Sequence, residues 1–168
     1  LSTWAAAPSD ANIKTDAMLS STGIIGRDDV TNQQAVGRTT LKSAKVLIVE
    51  DVTLNLMLVR KLLEGMCSGC TVLEAANGYE ALAMVRTHLP DLVLMDVHMP
   101  EMDGITAARE IRGWEQQNGL KTRPILALSA GVLDEERELC LQAGMDAFLS
   151  KPVEAEGLRA VLNRYIID

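Results

Sequence analysis

Leu92-Val93-Leu94-Met95-Asp96-Val97-His98-Met99-Pro100-Glu101-Met102-Asp103-Gly104 is the stretch whose reading decides the fold. Its first four residues are apolar on both faces, the mark of a strand covered by helices on each side. The run stops at a carboxylate, Asp96, and Gly104 then opens a helical pattern over 104–117. Strand, charged loop and helix form one unit of a parallel α/β sheet. Working outward, the unit recurs. Val46-Leu47-Ile48-Val49, Thr71-Val72-Leu73-Glu74, Pro124-Ile125-Leu126-Ala127-Leu128 and Ala147-Phe148-Leu149 are the other short runs. Helical patterns cover 53–66, 78–88, 133–143 and 154–166. Thr53 is read as the cap of the first helix and Gly78 as the opening of the second. Asp134 falls in the first turn of the fourth, where a negative charge suits the helix dipole. Gly65 and Gly144 sit where helices should stop. Five strand–helix units with right-handed crossovers predict a doubly wound α/β domain on a five-stranded parallel sheet.

Residues 45–168 make up this domain. Residues 1–44 differ in texture: Ser, Thr, Asn, Gln, Gly and Ala with scattered apolar residues and no sustained period. Such a stretch buries too little apolar surface to offset its ordering entropy, so it is expected to be a linker or disordered tail. A short helix near Ala11–Leu19, capped by Asp10, is the one element expected within it. The whole chain has 168 residues, 48% of them hydrophobic and 23% charged, a globular composition. Aromatics are 3%, which makes the core aliphatic and argues against stacking platforms for single-stranded nucleic acid. The net charge of −7 argues against sequence-independent binding to a phosphate backbone. No apolar run approaches the ~18–20 residues that span a bilayer. The first residues lack a basic-then-apolar leader pattern. Cys67, Cys70 and Cys140 are an odd number of cysteines with no export signal, so a reducing compartment is expected and a disulfide framework is not.

In open α/β sheets, ligands bind beyond the carboxyl ends of the strands. Glu50 and Asp51 follow the first strand, Asp96 the third, Ser129-Ala130-Gly131 the fourth and Ser150-Lys151-Pro152 the fifth. The second ends in Ala75-Ala76-Asn77, which is chemically bland. Three carboxylates, a hydroxyl and an ammonium thus converge on one rim. Like charges about 4 Å apart repel by roughly 4 kcal/mol at an effective dielectric of about 20, so the cluster needs a cation. Hard oxygen ligands suit Mg²⁺, which keeps some of its waters. Mg²⁺, a lysine and a hydroxyl together supply what phosphoryl transfer requires, charge neutralisation on the transferring oxygens.

These residues resemble the receiver domain of response regulators in two-component signalling. Glu50-Asp51, Leu94-Met95-Asp96-Val97-His98-Met99-Pro100 with Asp103-Gly104, Leu128-Ser129-Ala130 and Phe148-Leu149-Ser150-Lys151-Pro152 carry the resemblance, over about three quarters of the chain. It implies a flavodoxin-like fold with strand order 2-1-3-4-5. It makes Asp96 the phosphoacceptor, which takes a phosphoryl group from a phosphohistidine. It puts Mg²⁺ on Glu50, Asp51, Asp96 and the backbone carbonyl of His98. Lys151 would pair with the phosphoryl oxygens and Ser129 would hydrogen-bond one of them. Phe148 occupies the aromatic switch position, where many members have Tyr, and Pro152 suggests a cis Lys151–Pro152 bond. On phosphorylation, the face of the fourth helix, fifth strand and fifth helix would change shape. The partners implied are a histidine kinase, a histidine phosphotransfer domain or both, in the cytoplasm, with any membrane anchor belonging to a parent chain.

The start at Leu1 and the loose first 44 residues suggest the C-terminal receiver of a hybrid sensor histidine kinase. The alternative is a stand-alone, single-domain response regulator. By itself the domain is expected to phosphorylate and dephosphorylate only its own aspartate. A Mg²⁺ phosphohydrolase of the haloacid dehalogenase type would also use a strand-end Asp, but it wants a second Asp two positions on, where His98 stands. A flavin carrier would want a Ser/Thr/Gly phosphate loop in place of Glu50-Asp51. Cys67-Ser68-Gly69-Cys70 has C-x-x-C spacing, but it lies at a helix C-terminus, where the dipole does not favour a thiolate. Cys140 reads as a small buried residue, His88 as exposed, and Trp114, with Glu110, Arg112 and Glu115, as part of the outer third helix.

Overall fold

The computed structural model describes residues 43–131 and 133–166. The expected helix at 11–19 and nearly all of the expected tail lie outside these residues. Five strands and five helices alternate along the chain: β1 Lys45–Val49, α1 Thr53–Met66, β2 Thr71–Ala75, α2 Gly78–His88, β3 Leu92–Asp96, α3 Gly104–Gln117, β4 Ile125–Ser129, α4 Asp134–Gln142, β5 Ala147–Ser150 and α5 Ala155–Tyr165. All neighbouring strands pair in parallel, in the order β2-β1-β3-β4-β5. The fold class and strand order are those expected.

Successive residues of a strand point to opposite faces, and this alternation builds two cores. Val46, Ile48, Leu92, Leu94, Leu126, Leu128 and Leu149 meet Val59 and Leu63 of α1 and Leu158, Val161 and Leu162 of α5. Leu47, Val49, Val93, Met95, Ile125, Ala127 and Phe148 meet Ala81 and Val85 of α2, Ala107 and Ile111 of α3 and Cys140 of α4. The central strands are therefore covered on both sides, which is why their sequences read as unbroken apolar runs.

Local chemistry departs from expectation in several places. α1 is not capped by Thr53, which is already its first helical residue. The cap position is Val52, with no side-chain bond, and the Val52 amide instead donates to Glu50 Oε1 at 3.0 Å. Gly65 is the second-last residue of α1, one before its end at Met66. Gly144, at φ +96°, does follow α4 in the left-handed region that ends helices.

Cys67 and Cys70 form a disulfide, and Cys140 is free and buried. This overturns the expectation of unpaired cysteines. Cys67 caps α1, and the Cys70 amide donates to the Cys67 carbonyl at 3.1 Å, closing a tight turn. The turn brings the two α-carbons to 5.4 Å, within bridging range.

The outer third helix is also misread at Glu115, which is fully buried. Its Oε1 accepts from the Arg123 amide at 3.0 Å and Nε at 2.7 Å, and its Oε2 accepts from Arg112 Nη1 at 2.8 Å. Arg112 also donates to the carbonyls of Arg123 and Gly144 and to Asp146. This ionic clamp sits before the starts of β3, β4 and β5, at the sheet end opposite Asp96. Trp114 is half-buried, its ring 5.7 Å from the Arg123 guanidinium.

Candidate functional site

The carboxyl ends of β1, β3, β4 and β5 bring the predicted residues to one place. Glu50 directly follows β1 and is 1% exposed, and Asp96 ends β3 at 3%. Asp51, next in the chain, is exposed. One carboxylate oxygen from each of the three lies within 4.8 Å of the others. Lys151, just past β5, places Nζ 2.7 Å from Glu50 Oε2 and 2.9 Å from Asp96 Oδ1. Ser129, the last residue of β4, is buried, and its Oγ accepts from the Gly131 amide at 3.4 Å. The Lys151 amide donates to the Ser129 carbonyl at 2.8 Å, which ties the two loops together. The Lys151–Pro152 bond is cis, as its sequence context suggested.

Burial pushes the Asp96 carboxyl up to about 6, and the Glu50 charge adds to the rise. The Lys151 ammonium and the His98 amide, which donates to Oδ1 at 3.2 Å, only partly oppose it. For Lys151, burial alone would lower the pKa, but the Glu50 and Asp96 carboxylates outweigh it and hold the group above its usual value. One ammonium stands against three carboxylates. A donor set of closely spaced carboxylate oxygens at a partly open rim fits a small, hard divalent cation.

The surroundings fix this geometry. A Cβ on Gly104 would lie 2.1 Å from the Asp96 carbonyl oxygen, so only glycine lets α3 begin against the end of β3. The Gly104 amide donates to the Val97 carbonyl at 3.0 Å. Asp103 caps α3 by accepting from the Thr106 amide at 2.7 Å. Sequence reasoning missed the role of the β2 end, read as bland. Asn77 caps α2 through the Glu80 amide at 2.9 Å, and its Nδ2 donates to Glu101 Oε2 at 3.2 Å. The Gly78 amide donates to the Met102 carbonyl at 3.1 Å. The loop after Asp96 is thus held by the start of α2. The signal was Asn77 followed three residues later by Glu80, a capping pattern.

His98 has an exposed side chain whose Nε2 lies 2.5 Å from Glu136 Oε1 on α4. The imidazole is engaged with α4, and no second Asp stands two positions after Asp96 for a dehalogenase-type acid. Phe148 is buried in β5, with the Arg137 guanidinium 5.3 Å from its ring centroid.

The sequence profile of the response regulator receiver domain matches residues 46–163. This chain belongs to the receiver domain family. Over 124 residues it is 41% identical to the sensor histidine kinase GacS of Pseudomonas protegens, a match covering 74% of this chain and 13% of that protein. The receiver thus spans about an eighth of that kinase. It is also similar to the receiver domain of a sensor histidine kinase from Pseudomonas aeruginosa PAO1, solved with a magnesium ion coordinated in its active site cleft. The TM-score is 0.65 at 36% identity, over 75% of this chain and 99% of that one. The receiver domain of the Saccharomyces cerevisiae response regulator Ssk1, co-crystallised with the histidine phosphotransfer protein Ypd1, aligns with a TM-score of 0.69 at 29% identity. That match covers 74% of this chain and 90% of that one. As a receiver domain, the chain is a module of two-component signalling. No helix among its described residues is long and apolar enough to cross a membrane.

Proposed function

We propose that Asp96 accepts a phosphoryl group from a phosphohistidine and passes it to a histidine phosphotransfer domain. The observation that carries this reading is the meeting of Glu50, Asp51 and Asp96 within 4.8 Å, with Lys151 Nζ bridging two of them. Glu50, Asp51, Asp96 and the His98 carbonyl would hold Mg²⁺. When bound, the ion neutralises the carboxylates and the transferring oxygens. An Asp96 carboxylate oxygen forms the new bond to phosphorus as the bond from the histidine nitrogen breaks, and the imidazole departs with the electron pair. Lys151 stands where it pairs with a phosphoryl oxygen, and Ser129, at the neighbouring strand end, donates a hydrogen bond to another. Phe148 and α4 then adjust, and the α4–β5–α5 face carries the signal.

Val52 and Leu54, next in the chain after Glu50 and Asp51, Met57 and Leu58 further along α1, and Leu133, before α4, are large apolar residues left exposed. Exposed apolar side chains that follow acidic ones in this way suit docking of a helix that presents a histidine. We read the chain as the receiver segment of a sensor histidine kinase, with the domain boundary near residue 44.

Incubation with acetyl phosphate and Mg²⁺ tests the reading by intact mass. One labile adduct of about 80 Da, a single phosphoryl group, is expected in the native chain and absent in Asp96→Asn and after chelation. Continuous turnover of phosphate, or an adduct that survives Asp96→Asn, would sink it.

A further inference from the structure

Two adjacent residues of α4 reach in different directions. Glu136 engages His98 in the loop after Asp96. Arg137 sets its guanidinium over the ring of Phe148 on β5. The first turn of α4 is therefore tied to both the loop and the ring. Arg137 is half-buried, and its Nε is shut off from solvent with no hydrogen-bond partner among the described residues. Burying a donor without an acceptor is unfavourable. The negative face of an aromatic ring is the group that offsets it here, because a guanidinium is attracted to that face and more strongly so when water is excluded. Phe148 is 4% exposed and belongs to the same buried core as Cys140, Ala143 and Met145. It has no hydroxyl, so no hydrogen bond from the ring can fix its orientation.

We propose that Arg137 is a positioning residue of the switch, clamping Phe148 in its inward packing before any phosphoryl group arrives. The proposal rests on the reading of Asp96 as phosphoacceptor. In the switch role implied for Phe148, a ligand at Asp96 that draws Ser129 inward would select the conformer with the ring packed inside. Whatever already stabilises that conformer raises the ligand's apparent affinity. Arg137 does so with a charge on α4, in place of a hydroxyl on the ring. Without it, the ring populates outward positions, and the ligand must pull it back.

Phe148 is the chain's only phenylalanine, so incorporated 4-fluorophenylalanine reports this ring alone by ¹⁹F resonance. The full chain, Arg137→Gln and Arg137→Lys are compared without ligand and during titration with beryllofluoride and Mg²⁺. The native line is expected at a buried shift, with a small solvent-isotope effect, in both states. The Gln variant should move toward the solvent-exposed shift without ligand, return with ligand, and half-saturate at an about threefold higher concentration. The Lys variant keeps the cation and should track the native chain. A Gln line that superimposes on the native one in both states, with unchanged half-saturation, overturns the clamp. So does a Lys variant that behaves like Gln. If amide resonances around Asp96 ignore beryllofluoride even in the native chain, the phosphoacceptor reading fails instead, and the ligand-free ¹⁹F lines still decide whether Arg137 holds the ring.

Discussion

At the scale of single residues, Asp96 carries a cost that is part of its use. Burial disfavours its charge and holds the folded carboxyl at about 6, above the ordinary value of 3.8. The folded chain therefore binds this proton more tightly than the unfolded chain. Stability of the metal-free protein falls as pH rises from about 4 to about 6, and the loss is complete above that. The size is about 2–3 kcal/mol. Urea melts should show Asp96→Asn more stable than the native chain by about 2 kcal/mol at pH 7, with the difference vanishing near pH 4. Mg²⁺ should raise the native midpoint at pH 7 and leave the variant nearly unmoved. Gly104 is the second sensitive residue. Its Cβ would collide with backbone, which has no flexible end to give way. Gly104→Ala should lower stability by about 2 kcal/mol in thermal melts. It should also slow acetyl-phosphate labelling of Asp96, whereas Gly113→Ala, with open space around it, should do neither.

At the scale of elements, periodicity and strand length were legible and partners were not. The extents of α1, α2 and α3 match their sequence reading, because their apolar residues recur on one face and glycine marks the openings of α2 and α3. The strand-end acids, Ser129 and Lys151 were also legible, since parallel topology alone sends them to one rim. Glu115 was not. It continues the buried stripe Gly104, Ala107, Ala108, Ile111 along α3, but its burial depends on Arg123, in a loop, and on Arg112, and an isolated charge in sequence gives no sign of such partners. The Cys67–Cys70 bridge escaped for a similar reason: composition argues about compartment, while the turn geometry decides proximity. The clamp yields its own prediction. Glu115→Ala takes the carboxylate away from the buried Arg123 guanidinium and should cost about 3–5 kcal/mol in urea melts. Glu110→Ala, on the exposed face of the same helix, should change stability by less than about 0.5 kcal/mol.

At the scale of the whole molecule, the family profile covers residues 46–163, and the ten elements that line both cores run from Lys45 to Tyr165. A chain starting at Ser43 should therefore melt cooperatively within about 4 °C of the full chain and take one phosphoryl group at the same rate. A large drop in melting temperature would mean that earlier residues contribute to the fold and would move the proposed boundary. The two charged centres lie at opposite ends of the same strands. Glu50, Asp96 and Lys151 occupy the end from which β1, β3 and β5 exit, and Glu115, Arg112, Arg123 and Asp146 the end at which β3, β4 and β5 enter. The far centre anchors strand starts that the near centre does not touch. For protein engineering this makes the rim a replaceable head on a fixed stem: its acids can be exchanged to accept another metal or to mimic a permanently charged state, while the stem keeps β3, β4 and β5 seated.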